Sequence, residues 1–249
     1  MTPLQVEERF YRHVMGSPDL TAFRVREGES DLWLAVDRSS WTDDLPQRAE
    51  EALHLARSEI EGYVGRDPAF LTSLVPLTLP AHAPPLVGEM ARAAACAGVG
   101  PMAAVAGAVA ERVGRALLGS VREVIVENGG DIFICTYRPR RVAILAGTSP
   151  FSLRTGLLVS GDGQPVAVCT SAGRWGHSLS LGRADAAVAV APSGALADAA
   201  ATCLGNLVGG EDDLMAALER ARQIPGLAGA VLIRDTRLAA WGNIHLTSL

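Results

Sequence analysis

Residues 121–137, VREVIVENGGDIFICTY, decide the fold class. Two strongly apolar runs, Val121 to Glu127 and Asp131 to Tyr137, flank Asn128-Gly129-Gly130, and Asn-Gly tolerates the positive φ values that a tight hairpin needs. The segment therefore predicts two antiparallel strands joined by a short turn. Downstream, Arg141–Ala146, Gly156–Val159, Val166–Thr170 and Ala184–Ala191 are further short β runs, too closely spaced for the long crossovers that parallel pairing requires.

Upstream, Thr21–Glu27 and Asp31–Asp37 alternate around Gly28-Glu29-Ser30, a second hairpin signal. From Asp43 to Arg66, apolar residues recur at Leu53, Ala56, Ile60 and Val64, the spacing of an amphipathic helix with Asp43 or Asp44 placed to cap it. Prolines 76, 80, 84 and 85 then interrupt the chain before an Ala/Gly-rich region that predicts two closely packed helices, 85–97 and 101–118. The uncharged run Ala93–Ala110 is mostly Ala and Gly with Pro101 near its middle, and supplies little of the transfer energy of a membrane span. Helices at 194–207 and 212–222 and strands at 228–234 and 238–241 complete the chain. Strand runs and helix runs are segregated, so the expected fold class is α+β, with antiparallel sheets and packed Ala/Gly-rich helices. No linker divides the sequence, and it reads as one domain, 1–249. Residues 1–84 form a hairpin-plus-helix lobe, and 85–249 a core carrying the motifs.

The chain has 249 residues, 49% of them hydrophobic, and a formal net charge of −5. That composition fits a globular protein large enough to bury a substantial core. The acidic balance argues against nucleic-acid and anionic-membrane partners, and for a small molecule. All 22 basic residues are arginine, and the absence of lysine excludes a Schiff-base lysine, a phosphate-loop lysine and any catalytic amine other than the N-terminus. The four cysteines lack metal-site or dithiol spacing and read as buried small hydrophobes in a reducing compartment. The polar start MTPLQVEERFYRH carries no export signal, which points to the cytoplasm.

Chemistry concentrates at a few places. In LADAAATCLGN, residues 196–206, Asp198, Thr202 and Asn206 recur at intervals of four and align three polar side chains on one face of an otherwise apolar helix. An Asp carboxylate and a Thr hydroxyl one turn apart suit Mg²⁺ that also contacts a phosphate. Alternatively, Asp198 serves the positive end of its helix while Thr202 bonds back to the carbonyl four residues earlier. The Asn128-Gly129-Gly130-Asp131 turn is either a plain hairpin or, with its glycines and flanking Glu127 and Asp131, a place where a ligand approaches the backbone. Residues 169–182 are dense in hydroxyls and glycines around His177, a side chain that titrates near neutrality. They are either a ligand-binding segment or a solvated loop. Gly98-Val99-Gly100-Pro101-Met102 offers a glycine-rich break before a helix but matches no phosphate-binding fingerprint. Arg138, Arg140 and Arg141 read as a solvated cluster at a hairpin tip.

In this order the elements resemble the ApbE family of flavin transferases, and more closely a lineage of uncharacterised ApbE-like proteins. Residues 196–202, LADAAAT, resemble that family's A-D-A-x-A-T helix, which implies Mg²⁺ ligands at Asp198 and Thr202. Asn128-Gly129-Gly130-Asp131 is similar to its flavin-lining N-x-GGD segment, and Thr170-Ser171-Ala172-Gly173 to its T-S-G strand end. His177 to Gly182 is similar in position to H-x-x-D-P-x-T-G, although two residues shorter and without Asp-Pro. The family's A-K-G lysine has no counterpart here. The resemblance implies FAD as substrate or ligand, Mg²⁺ as cofactor and His177, Asp198 and Thr202 as catalytic residues. Asn128, Gly129, Gly130, Asp131, Thr170, Ser171, Gly173, Ser178 and Ser180 would line the flavin. The activity implied is FMN transfer or pyrophosphate cleavage. A flavin or nucleotide binder without catalysis, or a scaffold with a decayed site, remains the alternative. The alanine-rich helices could also supply a homodimer interface.

Overall fold

In the computed structural model, residues 17–173 and 182–249 are described. The strands are β1 (Leu20–Glu27), β2 (Ser30–Asp37), β3 (Val124–Asn128), β4 (Asp131–Cys135), β5 (Arg140–Ala143), β6 (Thr155–Val159), β7 (Val166–Ser171), β8 (Ala186–Ala191), β9 (Gly229–Arg234), β10 (Arg237–Gly242) and β11 (Leu246–Ser248). The helices are α1 (Leu45–Val64), α2 (Ala69–Thr72), α3 (Pro85–Ala97), α4 (Val105–Leu118), α5 (Gly194–Leu207) and α6 (Leu214–Arg222).

An eight-stranded sheet has the order β1-β2-β3-β4-β7-β8-β9-β10, and a small sheet has the order β11-β6-β5. Every pairing is antiparallel. The class is α+β, as the segregated pattern predicts. The large sheet is built by the same succession twice: hairpin, helices, hairpin. In each half the helices are inserted between the second and third strands, so β2 pairs with β3 and β8 with β9.

Strand periodicity separates two cores. Val124, Val126, Phe133, Cys135, Ala167, Cys169, Ala187, Ala189, Ala191, Ala230 and Leu232 face the helices. The alternate residues Ile125, Ile134, Val168, Val188, Val190, Val231 and Ile233 face the small sheet, where they meet Ile144, Leu157 and Val159. The layers are therefore helices, large sheet and small sheet. The two faces of β7 and β8 differ in size: toward the small sheet they present Val, toward the helices Ala and Cys. This small-residue wall lets α5 lie close, and a Cβ added at Gly205 would sit 3.5 Å from the Ala187 Cβ.

The Ala/Gly-rich region forms α3 and α4 as expected, with Pro101–Ala104 as a 3₁₀ turn between them. The two helical segments bend by 102° at this break, and no single helix among the described residues is long and apolar enough to cross a membrane. Several local expectations are revised. Asp44 precedes α1 but makes no capping bond, and Pro46 in the first turn starts the helix instead. Cys135, Cys169 and Cys203 are buried, whereas Cys96 is exposed on α3. Arg140 is not solvated, because its guanidinium lies between Asp19 and Glu123, at 2.7 Å from each. β11 went unanticipated; its three residues alternate too briefly to be read as a strand.

Candidate functional site

The site grows from the crossing of α4 and α5. Gly107 on α4 and Gly194 on α5 touch backbone to backbone, and a Cβ on either would fall 2.2 Å from the other's carbonyl oxygen. Only glycine permits that approach. It brings the N-terminal turns of both helices together. No capping side chain precedes α4; the Val105 amide donates to the Met102 carbonyl of the preceding 3₁₀ turn, and the Gly107 amide finds its acceptor on another helix. Asp198, one turn into α5, supplies one: its Oδ2 accepts the Gly107 amide at 2.9 Å. The Ala106 amide also supports the carboxylate. Asp198 thus caps α4 rather than its own helix, which Ser193 caps through the Leu196 amide.

The β3–β4 turn closes the site from the sheet side. Asn128 pairs with Asp131, so Gly129 and Gly130 are the two central turn residues, with φ of 69° and 104°. The Asn-Gly signal is therefore displaced by one position. Asn128 is the last residue of its strand, and this frees its side chain to donate to the Ala106 carbonyl at 3.1 Å. No atom of the described residues lies within 4 Å of where a Cβ on Gly130 would stand, while its amide donates to Glu127 at 2.9 Å. Asp131 opens β4 on the helix-facing side, where its Oδ1 accepts the Thr170 amide at 3.2 Å and the Cys169 thiol donates to its carboxylate.

Two carboxylates from distant parts of the chain thus lie within electrostatic reach. Burial pushes Asp131 up to about 7, against the Cys169 and Thr170 donors, and the negative charge of Glu127 adds to the rise. Burial and the charge of Asp131 hold Asp198 well above the usual carboxylate range, against the Gly107 and Ala106 amides. Neither carboxylate makes a salt bridge among the described residues. Buried carboxylates without a cation are costly unless they hold protons or meet a metal.

The exposure pattern of α5 marks the same surface. Almost all of the helix is buried, yet Asp198, Thr202 and Asn206 stay partly open at intervals of four. Thr202 does not bond back to the preceding turn; its hydroxyl makes no hydrogen bond among the described residues. Ser171 is 4% exposed, its Oγ has no partner among the described residues, and it lies against Gly205 of α5. Thr170 contributes its amide; strand alternation turns its side chain to the opposite face, with Val168. Gly173 and Gly182 touch at the two ends of segment 174–181, and Gly182 rests on Gly205. His177, Ser178 and Ser180 lie outside the described residues.

Asn128, Gly130, Asp131, Ser171, Asp198 and Thr202 thus belong to one region, where β4 and β7 meet α4 and α5. The Gly98 break does not: Gly98 ends α3 in a left-handed conformation, with Arg220 donating to the Ala97 carbonyl at 3.0 Å. A cleft of about 330 Å³ between residues 77–83 and α3 shares none of these residues. Sequence reading missed Gly107, Gly194, Glu111 and Cys169. The signal for the first three was present in the parallel segments Gly107-Ala108-Val109-Ala110-Glu111 and Gly194-Ala195-Leu196-Ala197-Asp198.

The donor set fits a hard divalent cation. Asp198 carries an acidic oxygen donor set held by the Gly107 and Ala106 amides, with the Thr202 hydroxyl one turn along the same helix. No three His, Cys, Asp or Glu side chains among the described residues are placed to hold a metal by themselves. A cation here would draw its remaining ligands from hydroxyl, carbonyl, water or phosphate oxygens, as Mg²⁺ commonly does.

Comparison with known proteins gives the family and the fold. Residues 12–237 match the model of the family described as AbpE bacteria. The chain belongs to that family. It is 42% identical over 219 residues to a UPF0280 protein of Methanopyrus kandleri, covering 86% of this chain and 87% of the relative. A UPF0280 protein of Methanosarcina barkeri is 38% identical over 200 residues, 80% of this chain and 79% of the relative. Among solved structures, the apo form of the Pseudomonas stutzeri flavinyl transferase ApbE has a TM-score of 0.53 at 16% identity, covering 92% of this chain and 94% of that one. The ApbE protein of Thermotoga maritima has a TM-score of 0.55 at 12% identity, with 88% and 96% covered. The chain has the ApbE-like fold.

Proposed function

We propose that this protein binds a flavin dinucleotide at the junction of α4, α5 and the β3–β4 turn, and acts on its pyrophosphate with Mg²⁺. One observation carries the reading: the partly open stripe Asp198–Thr202–Asn206 of a mostly buried helix meets the Asn128–Asp131 turn across the α4 N-terminus. The ApbE-like fold and family supply the ligand class.

When bound, Mg²⁺ would neutralise charge on the pyrophosphate. Asp198, held in place by the Gly107 amide, and Thr202 would hold the cation. Gly129 and Gly130 would admit the ligand close to the backbone, and the unpartnered Ser171 hydroxyl would orient it. Asp131, with its carboxyl pushed up to about 7, holds or releases a proton at physiological pH. His177 is the second acid–base candidate; Gly173, Ser178 and Ser180 would contact the ligand from the same segment. The outcome is FMN passed to an acceptor hydroxyl or released to water, in the cytoplasm.

The full-length protein is incubated with FAD and Mg²⁺ and AMP release is followed. Release that disappears in Asp198→Asn supports the reading. Absence of release, with FAD recovered intact from a saturable complex, moves the protein to the binding class. The lack of any lysine favours that class as the second reading, since Ala106 stands beside Gly107 in the helix where the family's A-K-G lysine is expected.

A further inference from the structure

The α4–α5 crossing has a second half that the proposed function does not use. Glu111 lies four residues after Gly107, as Asp198 lies four after Gly194. Glu111 Oε2 accepts the Gly194 amide at 2.6 Å, while Asp198 Oδ2 accepts the Gly107 amide. Each helix therefore lends a carboxylate to the first turn of the other, around a contact between two glycines. The halves differ in their remaining oxygen. Glu111 Oε1 accepts Arg115 Nε at 2.7 Å, and the Arg115 guanidinium sits 5.6 Å above the Phe133 ring. Phe133 in turn fills the space that a side chain at Gly114 would occupy. Glu111 is thereby fixed to its own helix and to β4, the strand that begins at Asp131.

We propose that Glu111 is a positioning residue for the Asp198–Thr202 site: by accepting the Gly194 amide it fixes where α5 begins, and so where the cation-facing stripe stands relative to Asp131. The inference rests on the reading of that stripe as a cation site. Charge on Glu111 is already matched by Arg115, so the role depends on where the acceptor oxygen stands. A shorter side chain at this position should disturb the site, and a neutral side chain of equal length should not.

The test measures Mn²⁺ binding to the full chain by electron paramagnetic resonance, with melting temperatures recorded for every variant. Glu111→Asp keeps the charge but withdraws the oxygen by one methylene, and should weaken Mn²⁺ about tenfold, the scale on which groups orienting metal ligands act. Glu111→Gln retains an oxygen at the original reach and should stay within about twofold of the parent. Asp198→Asn should abolish binding. If Glu111→Asp and Glu111→Gln both bind as the parent does, or both lose affinity equally, positioning by Glu111 is wrong. If the parent binds no Mn²⁺, or Asp198→Asn binds it unchanged, the cation reading of the stripe fails instead. Melting temperatures separate a lost site from a lost fold.

Discussion

The segments Gly107–Glu111 and Gly194–Asp198 share a pattern, a geometry and a partner, yet their carboxylates meet different surroundings. Glu111 gives one oxygen to an amide and the other to Arg115. Asp198 accepts the amides of Gly107 and Ala106, and its neighbours are the buried Asp131 and the Cys169 thiol. The first arrangement is complete within the protein, whereas the second is finished only by a proton or a cation. Capping geometry is the same in both halves. The charge around each carboxylate differs, and four expected outcomes test what that difference does.

The largest effect should be on pH dependence. Asp131 has a folded-state value of about 7 against 3.8 for the ordinary side chain. Between these values the folded protein holds a proton that the unfolded chain has released, so the Asp131 contribution to stability falls as pH rises from about 4 to 7. With each unit worth about 1.4 kcal/mol, that contribution is about 4 kcal/mol, and Asp198, also held well above the usual carboxylate range, adds to the fall. Urea unfolding in EDTA across this range measures it, and Asp131→Asn should reduce the slope.

Next comes the glycine contact itself. Gly194→Ala forces a methyl to within 2.2 Å of the Gly107 carbonyl oxygen, and overpacking of this kind costs about 3 kcal/mol. Chemical denaturation checks it; a loss below about 1 kcal/mol would mean that the helices part easily and that the two carboxylates hold the crossing alone.

The cation response should follow. At a Mg²⁺ concentration of about 100 times its Kd, the parent gains about 2.7 kcal/mol of stability, and Asp198→Asn gains none. Calorimetric melting with and without Mg²⁺ reads the difference, and an equal gain in both proteins would place the cation elsewhere. The smallest effect belongs to the other side of the pair. Glu111→Ala leaves the Gly194 amide without its acceptor and should lower stability by about 1 to 2 kcal/mol, as chemical denaturation would show.

Much of this was legible in the chain. Alternation in residues 121–137 and the segregation of strands from helices yielded the antiparallel α+β class, because side-chain period and loop length are local properties. The Asp198–Thr202–Asn206 stripe was visible for the same reason: a helical repeat of four needs no tertiary information. The turn was found, but its register slipped by one, since Asn128-Gly129 and Gly129-Gly130 satisfy the same local rule. What placed the glycines at the centre was the pairing of Asn128 with Asp131 and the bond from Asn128 to Ala106.

Sequence by itself determined which elements form and which faces carry oxygen. Only the tertiary structure decided whom those oxygens meet. Asp198 and Gly107 are 91 positions apart, as are Ala106 and Ala197 in the same two helices, and no periodicity reports a contact between separate elements. The approach depends on two missing side chains and a wall of alanines on β7 and β8. The charge state of the pair depends on burial, which arises only when the sheet and the helices close over it.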